Sequence, residues 1–102
     1  MNKKHQVTAI IRDRRNQILS VGQNSYIKTH PLQAMYATKM DQPQKIYLHA
    51  EIHAITRCKD LSLAYKIEIF RYKEDGTPGL AKPCKICQEA LRKTNIKIIE
   101  HT

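Results

Sequence analysis

The chain has no tryptophan, one phenylalanine and five tyrosines, so it offers little aromatic surface for stacking the bases of a nucleic-acid strand. Only three glycines and four prolines occur in 102 residues, which excludes collagen-like and low-complexity architectures, and no internal repeat is visible. Three cysteines, an odd number, are a poor basis for a disulfide framework. No apolar run approaches the roughly 18–20 residues needed to cross a bilayer, so no membrane partner is expected. The opening Met1-Asn2-Lys3-Lys4-His5-Gln6 lacks the apolar stretch of a secretory signal, and a cytoplasmic location with reduced thiols is therefore expected. Acid is scarce: nine Asp and Glu stand against eighteen Lys and Arg, and the net charge of +9 favours anionic partners.

What is present fits one soluble domain spanning residues 1–102, with 41% hydrophobic and 26% charged residues. A chain this short can bury a core, and a bound metal would help it to do so. The basic residues are dispersed except in Arg12-Asp13-Arg14-Arg15, which has the composition of a turn.

Gln6 to Arg12 is β-branched and short, a strand, and Gln17 to Gln23 is its hairpin partner across the turn. Gly22 lies at the far end of that partner, where a missing side chain lets backbone or ligand approach closely. Asn24 to Gln44 reads as a long loop carrying Tyr26, relieved by a short helical turn over Pro31–Ala37; substrate contacts commonly live on such loops. Leu48 to Cys58 repeats Leu48, Ile52, Ile55 and Cys58 at helical spacing, and Cys58 is expected to fill core. Lys66 to Tyr72 alternates as a strand, and Lys73 to Lys82 is a loop rich in turn residues. Pro83 is a natural first helical residue for a helix running to Lys93, and Asn95 to Glu100 is a last strand. The order β-β-α-β-α-β predicts an α/β fold: a mixed four-stranded sheet covered by helices, its last two strands parallel.

The chemistry concentrates in His49-Ala50-Glu51 and Pro83-Cys84-Lys85-Ile86-Cys87. One imidazole and two thiols can hold a zinc ion and leave its fourth position to water, whose pKa then falls to about 7. Cys84 and Cys87 are three apart at a helix start, where thiolates are favoured. Glu51, not needed as a ligand, is free to move protons between that water and a substrate nitrogen. Spacing alone leaves a second possibility open. His49 and His53 are four apart, so a closed site of two histidines and two cysteines would also satisfy zinc, with no task for Glu51.

His49-Ala50-Glu51 followed by Pro83-Cys84-x-x-Cys87 resembles the signature of the zinc-dependent cytidine and deoxycytidylate deaminases, and the run His49-Ala50-Glu51-Ile52-His53-Ala54-Ile55 is most similar to the deoxycytidylate group. The order of elements agrees with the family's layered fold over nearly the whole chain. The resemblance implies Zn2+ held by His49, Cys84 and Cys87, Glu51 as proton shuttle, attack on the amine-bearing ring carbon and loss of ammonia. It further implies a sugar or base contact from Asn24 in Gly22-Gln23-Asn24, with Ala50 and Pro83 lining the site through their backbones. The chain departs from the family in two ways. Relatives commonly continue past the fourth strand with a further helix and a fifth strand, so a homo-oligomer completing the pocket is expected. Ala81-Lys82 stands where relatives often carry a hydroxyl or acid, and Lys82 or Lys85 could instead meet a phosphate.

Three functions remain open at this level. The first is deamination of cytosine in a free nucleoside or nucleotide, cytidine or dCMP, which the motif context favours. The second is deamination of a cytosine or adenine in single-stranded DNA or RNA, favoured by the charge, with Tyr26 as the candidate stacking residue. The third is a non-enzymatic zinc-binding interaction module, which would need neither Glu51 nor an open coordination position.

Overall fold

The computed structural model describes residues 6–25, 27–42, 44, 47–73 and 75–102. Its strands are β1 (Gln6–Arg12), β2 (Ile18–Gln23), β3 (Lys66–Tyr72) and β4 (Ile98–His101), and its helices are α1 (Pro31–Lys39), α2 (Ala50–Arg57) and α3 (Lys85–Arg92). A 3-10 turn at Leu61–Leu63 precedes β3. The strands line up as β2-β1-β3-β4, with β1 antiparallel to both neighbours and β4 parallel to β3. The mixed sheet expected from the sequence is thus present, with the last two strands parallel across α3.

The β1–β2 hairpin closes on side-chain chemistry rather than on glycine. Asp13 Oδ1 accepts from both Arg15 N and Gln17 N at 2.9 Å, and Asn16 takes the left-handed conformation at φ 66°. Register then fixes which residues face the helices. Ala9 pairs with Gly22 and Ile69, and Ile11 pairs with Ser20 and Ile67, so all six lie on one buried face. Above that face α2 contributes Ile52 and Ala54 and α3 contributes Ile86 and Ala90 to one core cluster. Arg71 continues the same alternation at the end of β3, where the core gives way to a cavity.

Gly22 determines how closely α2 can lie on the sheet. A Cβ at this position would stand 2.3 Å from Ala54 N and 2.5 Å from Ala50 O, so the backbones of β2 and α2 meet directly. Ser20 Oγ donates to Ala54 O at 2.8 Å beside this contact. The close approach expected at Gly22 is made by helix backbone, and the residue lies near the end of β2.

Several element boundaries differ from the sequence reading, and the last strand, read as Asn95 to Glu100, is Ile98–His101. The helical turn over Pro31–Ala37 is a full helix, α1, that runs to Lys39 and starts from His30, whose Nδ1 accepts from Leu32 N at 3.0 Å. The second helix begins at Ala50, with His49 as its N-cap, instead of at Leu48. The third has Cys84 as N-cap, which puts Pro83 one residue before the cap rather than inside the first turn.

α1 docks against α3 through Glu89, whose Oε1 lies 3.0 Å from Lys39 Nζ and 2.5 Å from Arg92 Nη2. Arg92, and after it Lys39, hold the Glu89 carboxyl down from 4.5 to about 2. The folded state therefore binds this proton less tightly than the unfolded chain does. The stabilisation is complete above pH 4.5 and is lost as pH falls toward about 2. Glu89→Gln should lower the melting temperature only slightly at neutral pH, since such surface pairs contribute little. Melting curves of variant and wild type should converge as the pH drops below 4.5.

Candidate metal centre

Two helix starts meet over the sheet ends formed by Val7 and Arg71. His49 has an extended backbone at φ −84° and ψ 154°, and its carbonyl accepts the first α2 bond from His53 N at 2.9 Å. Cys84 does the same for α3, at φ −72° and ψ 172°, with Gln88 N 2.8 Å from its carbonyl. Neither side chain caps its own helix. Both point instead to a common place, together with Cys87 from the first turn of α3.

His49 Nδ1 lies 3.3 Å from Cys87 Sγ and 3.5 Å from Cys84 Sγ, and the three donor atoms all fall within 4.8 Å of one another. Bonds of about 2.0 Å to nitrogen and about 2.3 Å to sulfur in a tetrahedron separate the two ligand atoms by about 3.5 Å. The donor set and its spacing therefore fit zinc. A hydrogen bond from Cys87 pulls the Cys84 thiol down to about 3, against burial and with help from His49. That same bond, burial and the nearby Glu51 charge push the Cys87 thiol up. Zinc takes thiolates, so an ion held by both sulfurs would displace the proton that the raised Cys87 thiol keeps.

His53 does not join this group. Its Nδ1 accepts from Gln23 N at 3.0 Å, so a four-ligand site with both histidines is not assembled among the described residues. The position of His49 is set from α1: fully buried Gln33 accepts from His49 N at 3.1 Å through Oε1. Sequence reasoning missed Gln33, because a glutamine on the inner face of a helix has no local signal.

Glu51, the second residue of α2, is 6% exposed beside the donors without being one of them. Burial pushes its carboxyl up, opposed by hydrogen bonds from its own backbone N–H and from Cys87. A buried, partly desolvated carboxylate of this kind holds a proton more readily than an exposed one.

His49 and Cys84 open onto a cavity of about 540 Å³, the size of a small-molecule site, with Cys87 buried behind them. Ala50 and Asn24 line it, and Asn24 Oδ1 accepts from Val7 N at 2.9 Å, which anchors the chain leaving β2 to the start of β1. Pro83 is buried but does not line the cavity, and its carbonyl accepts from Gln88 Nε2 at 2.8 Å. Lys82 lines the cavity, whereas Lys85 does not. Tyr26 lies outside the described residues. Two lining residues had no sequence signal, Arg71 and the half-exposed Tyr47. Cys58 is partly buried against the core at the end of α2.

No helix among the described residues is long and apolar enough to cross a membrane. No curated protein matches the chain. Residues 1–100 match the family model described as the cytidine and deoxycytidylate deaminase zinc-binding region, and the cofactor that this match and the His49, Cys84 and Cys87 donors fit is Zn2+.

Proposed function

The chain belongs to the cytidine and deoxycytidylate deaminase zinc-binding family, and on that premise we propose that it converts cytosine to uracil in a nucleotide, with His49, Cys84 and Cys87 as zinc ligands and Glu51 as proton shuttle. The observation that carries the mechanism is the placement of Glu51: a buried carboxylate on the cavity wall, next to the three donors and outside their set. Bound zinc would supply an activated water at neutral pH. Glu51 takes a proton from the attacking water and passes it to the ring nitrogen beside the carbon under attack. It then delivers the second proton to the amine, which leaves as ammonia while the C4–N bond breaks and a C–O bond replaces it. The Glu51 carboxyl, raised by burial, is suited to both halves of this transfer.

A phosphorylated substrate is favoured over a nucleoside by the charge of the cavity wall. Its cations are Arg71 and Lys82, and Glu51 is its carboxylate. Arg71 Nη1 donates to Leu80 O at 3.1 Å, which holds the guanidinium at the wall. A phosphate near Arg71 and Lys82 would form charge-assisted hydrogen bonds there. The second reading, deamination of a base within a single strand, is supported by Tyr47, a half-exposed ring at the cavity on which a neighbouring base could stack.

The test is to incubate the zinc-loaded protein with dCMP, cytidine, dCTP and single-stranded oligonucleotides and to measure ammonia and uracil. We expect dCMP to be the preferred substrate. Arg71→Ala should lower kcat/KM for dCMP by about ten- to a hundredfold while leaving cytidine turnover nearly unchanged. Uracil formed in oligonucleotides alone would establish the second reading, and no release from any substrate would reject both.

A further inference from the structure

A second pocket lies at the opposite end of the sheet, beyond Arg12 and Lys66, and the reaction has no use for it. β1 and β3 run between the two ends, so about 20 Å of strand separates this pocket from the zinc ligands. Its volume is about 410 Å³, and Arg14, Arg15, Lys97 and Tyr65 line it. The Cζ of Arg14 stands 5.0 Å from the centroid of the Tyr65 ring. None of the three cations forms an ion pair among the described residues, in contrast to Arg12, which is paired with Glu68. The acid in the pocket wall, Asp13, already accepts two backbone hydrogens of the turn.

The pocket is held in shape from several sides. Tyr65 N donates to Arg12 O at 2.9 Å, and Tyr65 O accepts from Lys97 N at 2.9 Å, so the ring's backbone is tied to β1 and to the segment entering β4. The turn that presents Arg14 and Arg15 is closed by Asp13 N donating to Gln17 O at 3.0 Å and by Arg12 Nη1 donating to Asn16 O at 2.9 Å. The backbone that carries these cations is thus fixed, and the Arg14 guanidinium is further placed by the Tyr65 ring.

We propose that this pocket binds the phosphate of a nucleotide on Arg14, Arg15 and Lys97, with the Arg14–Tyr65 pair as the surface on which its base rests. A guanidinium over an aromatic ring is a platform for planar bases, and guanidinium groups match phosphate oxygens with paired hydrogen bonds. A carboxylate-rich peptide would have use for the charge but none for the ring. The same chemistry is offered by a free nucleotide and by one residue of a single strand.

The test titrates isotopically labelled, zinc-loaded protein with dTMP, with a short oligothymidylate and with polyglutamate, following backbone amide shifts. Thymine carries no exocyclic amine for the reaction to remove. We expect amides of residues 13–16, 65 and 97 to shift. The affinity should fall at least tenfold in an Arg14→Gln, Arg15→Gln double variant whose melting temperature and zinc content match wild type. For the oligomer, the loss of two phosphate contacts should also flatten the slope of log affinity against log salt by about 1.4. Shifts with dTMP identify the ligand as a free nucleotide, and shifts with the oligomer alone identify a strand. Shifts confined to the zinc cavity, equal binding by the double variant, or equal binding of polyglutamate would each overturn the proposal. The outcome is independent of whether dCMP is deaminated.

Discussion

Glu51→Gln is expected to reduce turnover of dCMP by about 10⁴-fold, at the upper end of what a positioned general acid–base supplies. The amide keeps the size and planarity of the carboxylate, so packing at this 6% exposed position is preserved. It cannot take a proton from water or return one to the amine. Zinc content should remain one ion per chain, because the proposed ligands are His49, Cys84 and Cys87, and Glu51 lies outside that set. Metal analysis together with steady-state kinetics separates the two effects. A variant that kept wild-type turnover would remove Glu51 from the mechanism. A variant that lost its zinc would show the carboxylate to be part of the metal site instead.

The largest effect on stability is expected at Gly22. An alanine there would place its methyl 2.3 Å from Ala54 N and 2.8 Å from Ala54 Cα. These are helix backbone atoms with no rotamer to yield, so α2 must lift from β2 as a body. Lifting it would break the Ser20 Oγ to Ala54 O bond and uncover Ile52 and Ile55. Overpacking of this severity costs about 3 kcal/mol or more. In urea the midpoint should fall far below that of wild type, and an unchanged midpoint would show that the helix can shift at no cost. Because His49, Ala50 and Glu51 sit at the start of α2, any folded remainder should also bind zinc weakly.

The parts of the fold that could be read from the sequence are those with a strong local pattern. Lys66 to Tyr72 alternates in composition and buries Ile67 and Ile69 accordingly. Ile52 and Ile55 mark the inner face of α2, and the three donors expected to converge do so. α1 escaped full recognition because its pattern is inverted: Gln33 is fully buried while Met35 is 51% exposed. Its N-cap is a histidine rather than the usual Ser, Thr, Asp or Asn. Arg71 and Tyr47 reach the cavity only through the pairing of β3 with β1 and the path of the chain into α2, which no local window contains. The bond that Gln33 Oε1 accepts from His49 N joins two segments across the least patterned part of the chain.

His49 and Cys84 each occupy the position from which a side chain ordinarily satisfies the exposed amides of a helix, and each turns away from that role. A forgone cap costs about 1 kcal/mol per helix. The ion that these residues fit is therefore tied to secondary structure as well as to chemistry, since ligation would fix the first turns of α2 and α3 in place of the missing caps. Removing zinc with a chelator should therefore speed hydrogen exchange at the amides of both helix starts, and exchange measured with and without the metal checks this.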